Sequence, residues 1–151
     1  MNRLITGLPR TASTSVASAL EDLGFKVYHY CSLTSNHELD YDPDEYDVVV
    51  TNDISVFAMQ WDSVLILTRE SNELADSIRR TEKRTGKQWL ASTRLALEQF
   101  ILNRIWFGRK TFFLNVKEDE NPWLQLEMFM GMLESKTRMP FPHINFNDYQ
   151  I

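Results

Sequence analysis

The sequence predicts an α/β protein: a three-layer, doubly wound sheet of about five mainly parallel strands, with helices on both faces. Two observations carry that prediction. Short unbroken apolar runs, such as Val48-Val49-Val50 and Val64-Leu65-Ile66-Leu67, are the pattern of strands covered on both sides. Amphipathic stretches of helical period separate these runs, and strands alternating with helices imply crossover connections and parallel pairing.

Taken in order, Leu4-Ile5-Thr6 marks a strand over 3–6, and a helix is expected over 13–23. A strand over 26–29 and a polar loop follow, then a strand over 47–51, a short irregular piece and a strand over 63–68. A helix over 72–85 runs to Gly86. A second helical pattern over 88–107 has a broad apolar face of Leu90, Leu97, Phe100, Ile101, Ile105 and Trp106, and Gly108 ends it. The last strand is expected over 111–116 and the last helix over 122–132, with Pro122 in its first turn, where a missing N–H costs nothing. The stretch 41–46, with Pro43 and acidic neighbours, reads as a surface loop. Trp61, Trp89, Trp106 and Trp123 are expected in the core or at its edge, with Trp61 or Trp89 as candidates to line an acceptor pocket.

Composition agrees with one compact domain spanning 1–151, because a chain of 151 residues buries roughly 68–70% of its unfolded surface. Hydrophobic residues make up 43% and charged residues 25%, and no apolar run reaches the ~20 residues of a membrane helix. Met1-Asn2-Arg3 is not followed by a signal-peptide core. A single cysteine, Cys31, forms no internal disulfide and no metal-ligand set, so a reducing cytoplasm is the expected setting and no metal site is expected. The net charge is −5, and no basic stripe with interleaved aromatics is present, which argues against nucleic acid as a partner. Cations are local instead: Arg10, Arg69, Arg79 and Arg80 cluster in or just after two motifs, and the run from Arg79 to Arg84 reads foremost as a solvated helix face, with charge for a bound phosphate as its alternative role.

The first motif is Gly7-Leu8-Pro9-Arg10-Thr11-Ala12-Ser13-Thr14-Ser15-Val16, between the first strand and the first helix. Small hydroxylated residues at a helix start leave backbone N–H groups and the positive end of the helix dipole facing one anion. The turn resembles a P-loop in place and shape, but Ala12 stands at the second glycine of a Walker A motif and Ser13 at its lysine. The cation is upstream, at Arg10. The second motif is Arg69, leaving the fourth strand, with Ser77 eight positions on in the next helix, a placement from which both can converge on one anion.

Pro9-Arg10-Thr11-Ala12-Ser13-Thr14 resembles the 5′-phosphosulfate loop of sulfotransferases, roughly P-[KR]-[ST]-G-T-[TS], in all but the glycine. The Arg69 to Ser77 spacing resembles their 3′-phosphate site. With the tail Pro140-Phe141-Pro142-His143-Ile144-Asn145, the chain is similar from Leu4 to Asn147 to the short P-loop sulfotransferases of GLPRTGT…RD…PFPHxN type. It departs from them at Ala12, at Glu70 where Asp is usual, and at Ile54-Ser55, where a proline is common.

The resemblance implies a doubly wound P-loop-type fold and a sulfotransferase that uses 3′-phosphoadenosine 5′-phosphosulfate (PAPS), with phosphoadenosine phosphate (PAP) as product. The acceptor would be a hydroxyl or amine on a small-molecule, carbohydrate or lipid-type partner. Pro9, Arg10, Thr11, Ala12, Ser13, Thr14 and Ser15 would hold the phosphosulfate, and Arg69 and Ser77 the 3′-phosphate. Ligands of such sheets bind beyond the carboxyl ends of the strands, so residues 7–14, His29, Asn52-Asp53 and Arg69 are expected in one crevice. His29 is the first candidate for the base and Asp53 the second, either as the base itself or orienting His29. His143 is assigned mainly to packing and His37 to solvent. Ala12 is expected at negative φ, because a side chain disfavours the left-handed region. Two alternatives stay open: a non-catalytic nucleotide-binding or interaction protein of the same fold, and a P-loop small-molecule kinase.

Overall fold

The computed structural model describes residues 2–7, 12–30, 41, 42, 44–52, 60–86, 110–132 and 140–142. They contain, in chain order, β1 (Arg3–Gly7), α1 (Ser13–Asp22), β2 (Val27–Tyr30), β3 (Val48–Thr51), β4 (Ser63–Leu67), α2 (Ser71–Thr85), β5 (Lys110–Leu114) and α3 (Pro122–Phe129). The five strands form one sheet in the order β2-β3-β1-β4-β5, and every neighbouring pair is parallel. The expected three-layer α/β architecture is the one observed. The helix expected over 88–107 falls outside the described residues.

Side chains alternate between the two faces of a strand. Ile5, Val48, Val50, Leu65, Leu67 and Leu114 therefore share one face, where they join Val16, Ala19 and Leu20 of α1 and Leu126 and Phe129 of α3 in a single core. Leu4, Val49, Val64 and Ile66 are also buried and point the other way. The path from β1 to β2 and the path from β4 to β5 move in opposite directions along the sheet, and right-handed crossovers then place α1 and α2 on opposite faces. On α2 the buried residues are Leu74, Ser77, Ile78 and Thr81, the i, i+3, i+4, i+7 stripe of a helix lying on a sheet.

Strand and helix ends have local causes. At the end of α1, Gly24 at φ 93° lets its N–H reach Glu21 O and the Phe25 N–H reach Leu20 O. Gly131 at φ 74° does the same for α3, with Met132 N–H on Glu127 O, and this stops the helix at Phe129, before the expected residue 132. β5 stops at Leu114, two residues early, because Asn115 Oδ1 accepts from the N–H groups of Lys117 and Glu118 and turns the chain.

Trp61 is buried just before β4, at the amino-terminal edge of the sheet, stacked on Tyr41 with ring centroids 5.6 Å apart. Tyr28 and Tyr46 complete that aromatic cluster. Trp61 thus packs at the edge of the core, as expected, and its alternative as an acceptor-pocket residue is not supported, because it sits at the end of the sheet opposite the carboxyl ends of the strands. Trp89 lies outside the described residues. Among the described residues, no helix is long and apolar enough to cross a membrane.

Candidate functional site

The order of the strands locates the site. β1 and β4 are neighbours whose onward connections leave to opposite sides, so the crevice of this sheet opens between their carboxyl ends. Gly7 pairs with Leu67 at that edge, and the loops to α1 and α2 start side by side. A backbone bond from Thr68 N–H to Leu114 O, 2.9 Å, carries the pairing one residue further and sets where Arg69 emerges.

The start of α1 differs from the other described helices. α2 is capped by Glu70, whose side chain accepts from the N–H groups of Asn72 and Glu73, and α3 by Asn121, which accepts from Leu124 N–H. α1 begins at Ala12 with no side-chain cap and no acidic residue in its first turn. Its first backbone acceptor is Ala12 O, bonded by Val16 N–H at 3.1 Å, so the backbone N–H groups of Ser13 and Thr14 precede the helical ladder. Ser13 and Thr14 are partly exposed and Ser15 is buried. Among the described residues, a helix start with hydroxyl side chains, no side-chain cap and no carboxylate in its first turn is chemically suited to an anion.

Ala12 corrects an expectation. It lies at φ 74° and ψ 29°, in the left-handed region and not at negative φ, and among the described residues it is the one non-glycine with positive φ. The reason is visible in its packing, for the Ala12 methyl is partly buried against the core. The strained backbone turns the chain into α1, and the methyl recovers part of the cost as contact.

Arg69 leaves β4 two residues beyond Leu67 with its side chain 28% exposed, and its Nε lies 3.7 Å from Glu73 Oε2. Ser77 is on the buried stripe of α2. The neighbouring carboxylate, Glu70, is held below its usual pKa by the Asn72 and Glu73 N–H groups and, less strongly, by the Lys117 charge. Its work is therefore that of a helix cap. Arg79 pairs with Asp76 at 3.2 Å on the exposed face of α2, where Arg80, Lys83 and Arg84 also stand. That run is the solvated face expected of it.

His29 is the third residue of β2, opposite Val50, on the same face as Val27 and hence on the α1 side. β3 separates β2 from β1, which puts His29 about two strand spacings, roughly 10 Å, from the strand that ends in Gly7. The residue is exposed at its surface, yet the protein around the ring removes enough water to lower its pKa from 6.5. Asn52 follows β3 and is partly exposed. Pro9, Arg10, Thr11, Asp53, His37 and His143 lie outside the described residues.

Sequence reasoning overlooked Lys117 and Glu73. Lys117 follows β5, its Nζ 2.6 Å from Glu73 Oε1, and so it joins Arg69 on one carboxylate. Its position three residues past a strand's carboxyl end was the available signal.

Fold and candidate site together describe a parallel α/β protein in which a helix without a side-chain cap starts at the topological switch point. Residues 4–46 match the family model of the sulfotransferase domain, which supports a transferase. The matched segment holds β1, the loop into α1, α1 itself and β2 with His29. No curated protein matches the chain.

Proposed function

We propose that this protein is a sulfotransferase that moves a sulfuryl group from PAPS to a hydroxyl or amine acceptor. The observation that carries the reading is the uncapped start of α1 at the β1–β4 switch point, inside the segment that matches the sulfotransferase domain. Bound PAPS supplies the sulfuryl group and a leaving phosphate. In this reading the N–H groups and hydroxyls of Ser13 and Thr14 bind the phosphosulfate, with Pro9, Thr11, Ala12 and Ser15 shaping the loop. Arg10 neutralises negative charge growing on the bridging oxygen as the sulfur–oxygen bond breaks. Arg69 and Ser77 hold the 3′-phosphate.

As the acceptor's oxygen or nitrogen bonds to sulfur, its proton passes to a base, leaving PAP and a sulfate ester or sulfamate. His29 fits that duty because desolvation lowers its pKa and so favours the neutral imidazole, the form that accepts a proton. Asp53 is the competing base. A small-molecule, carbohydrate or lipid-type acceptor and a cytoplasmic setting belong to the same proposal.

Thermal shift tests the reading. PAP is expected to stabilise the protein without Mg²⁺ by about 2.7 kcal/mol at 100 times its Kd, and to do so better than ATP. ATP binding that is equal or stronger and depends on Mg²⁺ would point to a kinase and overturn the proposal. Arg69→Ala is expected to weaken PAP binding, whereas Arg10→Ala costs mainly turnover.

A further inference from the structure

Neither phosphate motif contains Lys117, yet the fold brings it to their edge of the sheet. The Asn115 turn lifts it from the end of β5, beside the exit of β4. Its Nζ donates to Glu73 Oε1 at 2.6 Å across 44 residues of sequence. The other oxygen, Oε2, is closed off from solvent, accepts no hydrogen bond, and lies 3.7 Å from Arg69 Nε. One carboxylate thus stands between two cations, and one of its oxygens lacks a donor, an arrangement that costs desolvation without full compensation.

We propose that Lys117 is a second cation of the 3′-phosphate site, with Glu73 standing in for the phosphate in the free protein and giving way when ligand enters. The identity of the ligand rests on the sulfotransferase reading. A phosphate near −2 answers two cations better than a single carboxylate does, and its oxygens offer more acceptors to the Arg69 fork and the Lys117 ammonium. Glu73 has a way out, because its side chain is 37% exposed. Glu70 also feels the Lys117 charge, but less strongly than the two N–H groups that hold its oxygens on the start of α2.

Calorimetric titration of the full chain with adenosine 3′,5′-bisphosphate and, separately, adenosine 5′-monophosphate tests this. Lys117→Ala is expected to weaken the bisphosphate about tenfold and leave the monophosphate unchanged, with Lys117→Arg restoring most of the loss. Glu73→Gln is expected to tighten the bisphosphate, because the competing charge is gone. Full bisphosphate affinity in Lys117→Ala, equal weakening of both ligands, or weaker binding in Glu73→Gln overturns the proposal. If Arg69→Ala still removes the preference for the bisphosphate in that case, the sulfotransferase reading survives alone. If the unmodified protein does not distinguish the two ligands, both fall.

Discussion

Ala12 sets two contributions against each other in one residue. The left-handed backbone costs an alanine roughly 1–2 kcal/mol relative to glycine, while burying its methyl contributes about 0.8 kcal/mol and a glycine would add unfolded-state entropy of about 0.4–1 kcal/mol. These terms nearly cancel. Ala12→Gly is therefore expected to leave the unfolding free energy within about 1 kcal/mol of the parent, measured by urea titration; a gain or loss beyond ~2 kcal/mol would show that one term had been misjudged. For His29 the deciding property is charge. A base must be neutral to accept a proton, and desolvation lowers the His29 pKa below 6.5, so kcat/KM should rise with pH through an apparent pKa under 6.5. His29→Ala is expected to lower turnover by ~10²-fold or more, with PAP binding retained. An acidic limb that persists unchanged in His29→Ala transfers the role to Asp53.

At the scale of elements, the junction between β4 and α2 decides how well Arg69 is placed, and Glu70 holds that junction by accepting from Asn72 N–H at 3.0 Å and Glu73 N–H at 2.8 Å. Because those bonds lower the Glu70 pKa, the unfolded chain binds its proton more readily, and the cap stabilises the fold above the ordinary carboxylate range and is lost as pH falls through the lowered value. Glu70→Gln is accordingly expected to lower the melting temperature at neutral pH, with the gap closing in acid, and to speed hydrogen exchange at Asn72 and Glu73. A gap that widened in acid would refute the cap as its source. Such elements were largely legible in the sequence, because strands buried on both faces must be apolar throughout and helices on a sheet must carry a stripe. β1, β3 and β4 begin and end within a residue of expectation for that reason. What escaped was set by partners distant in the chain. Strand order depends on pairing between segments, the left-handed Ala12 on a core its methyl touches, and Lys117 on a carboxylate 44 residues away. Of the candidate site, the place of Ser13 and Thr14 at a helix start and of Arg69 just past β4 was legible in the motifs, whereas the way Glu73 joins two cations required the fold.

The whole molecule carries a net charge of −5 and, in the proposed function, binds a polyanion, so the global and local fields oppose each other. Distance decides between them. Charges more than a Debye length away, about 8 Å at physiological ionic strength, are largely screened, whereas the α1 start, Arg69 and Lys117 would touch the ligand. The acidic stretch around Asp42, Asp44 and Asp47 adjoins the start of β3 and bonds back to Lys26, at the amino-terminal edge of the sheet and away from the switch point. Near contacts should therefore set the sign of the salt effect. Raising salt weakens an attraction between ligand and local cations, but would strengthen binding if repulsion by the net charge dominated. PAP affinity, titrated from ~0.05 to ~0.5 M NaCl, is expected to fall several-fold as salt rises. Arg69→Ala and Lys117→Ala should each flatten that slope, while neutralising Asp44, far from the crevice, should leave it unchanged. An affinity that rose with salt would place the ligand in the field of the acidic surface and not at the end of β1 and β4.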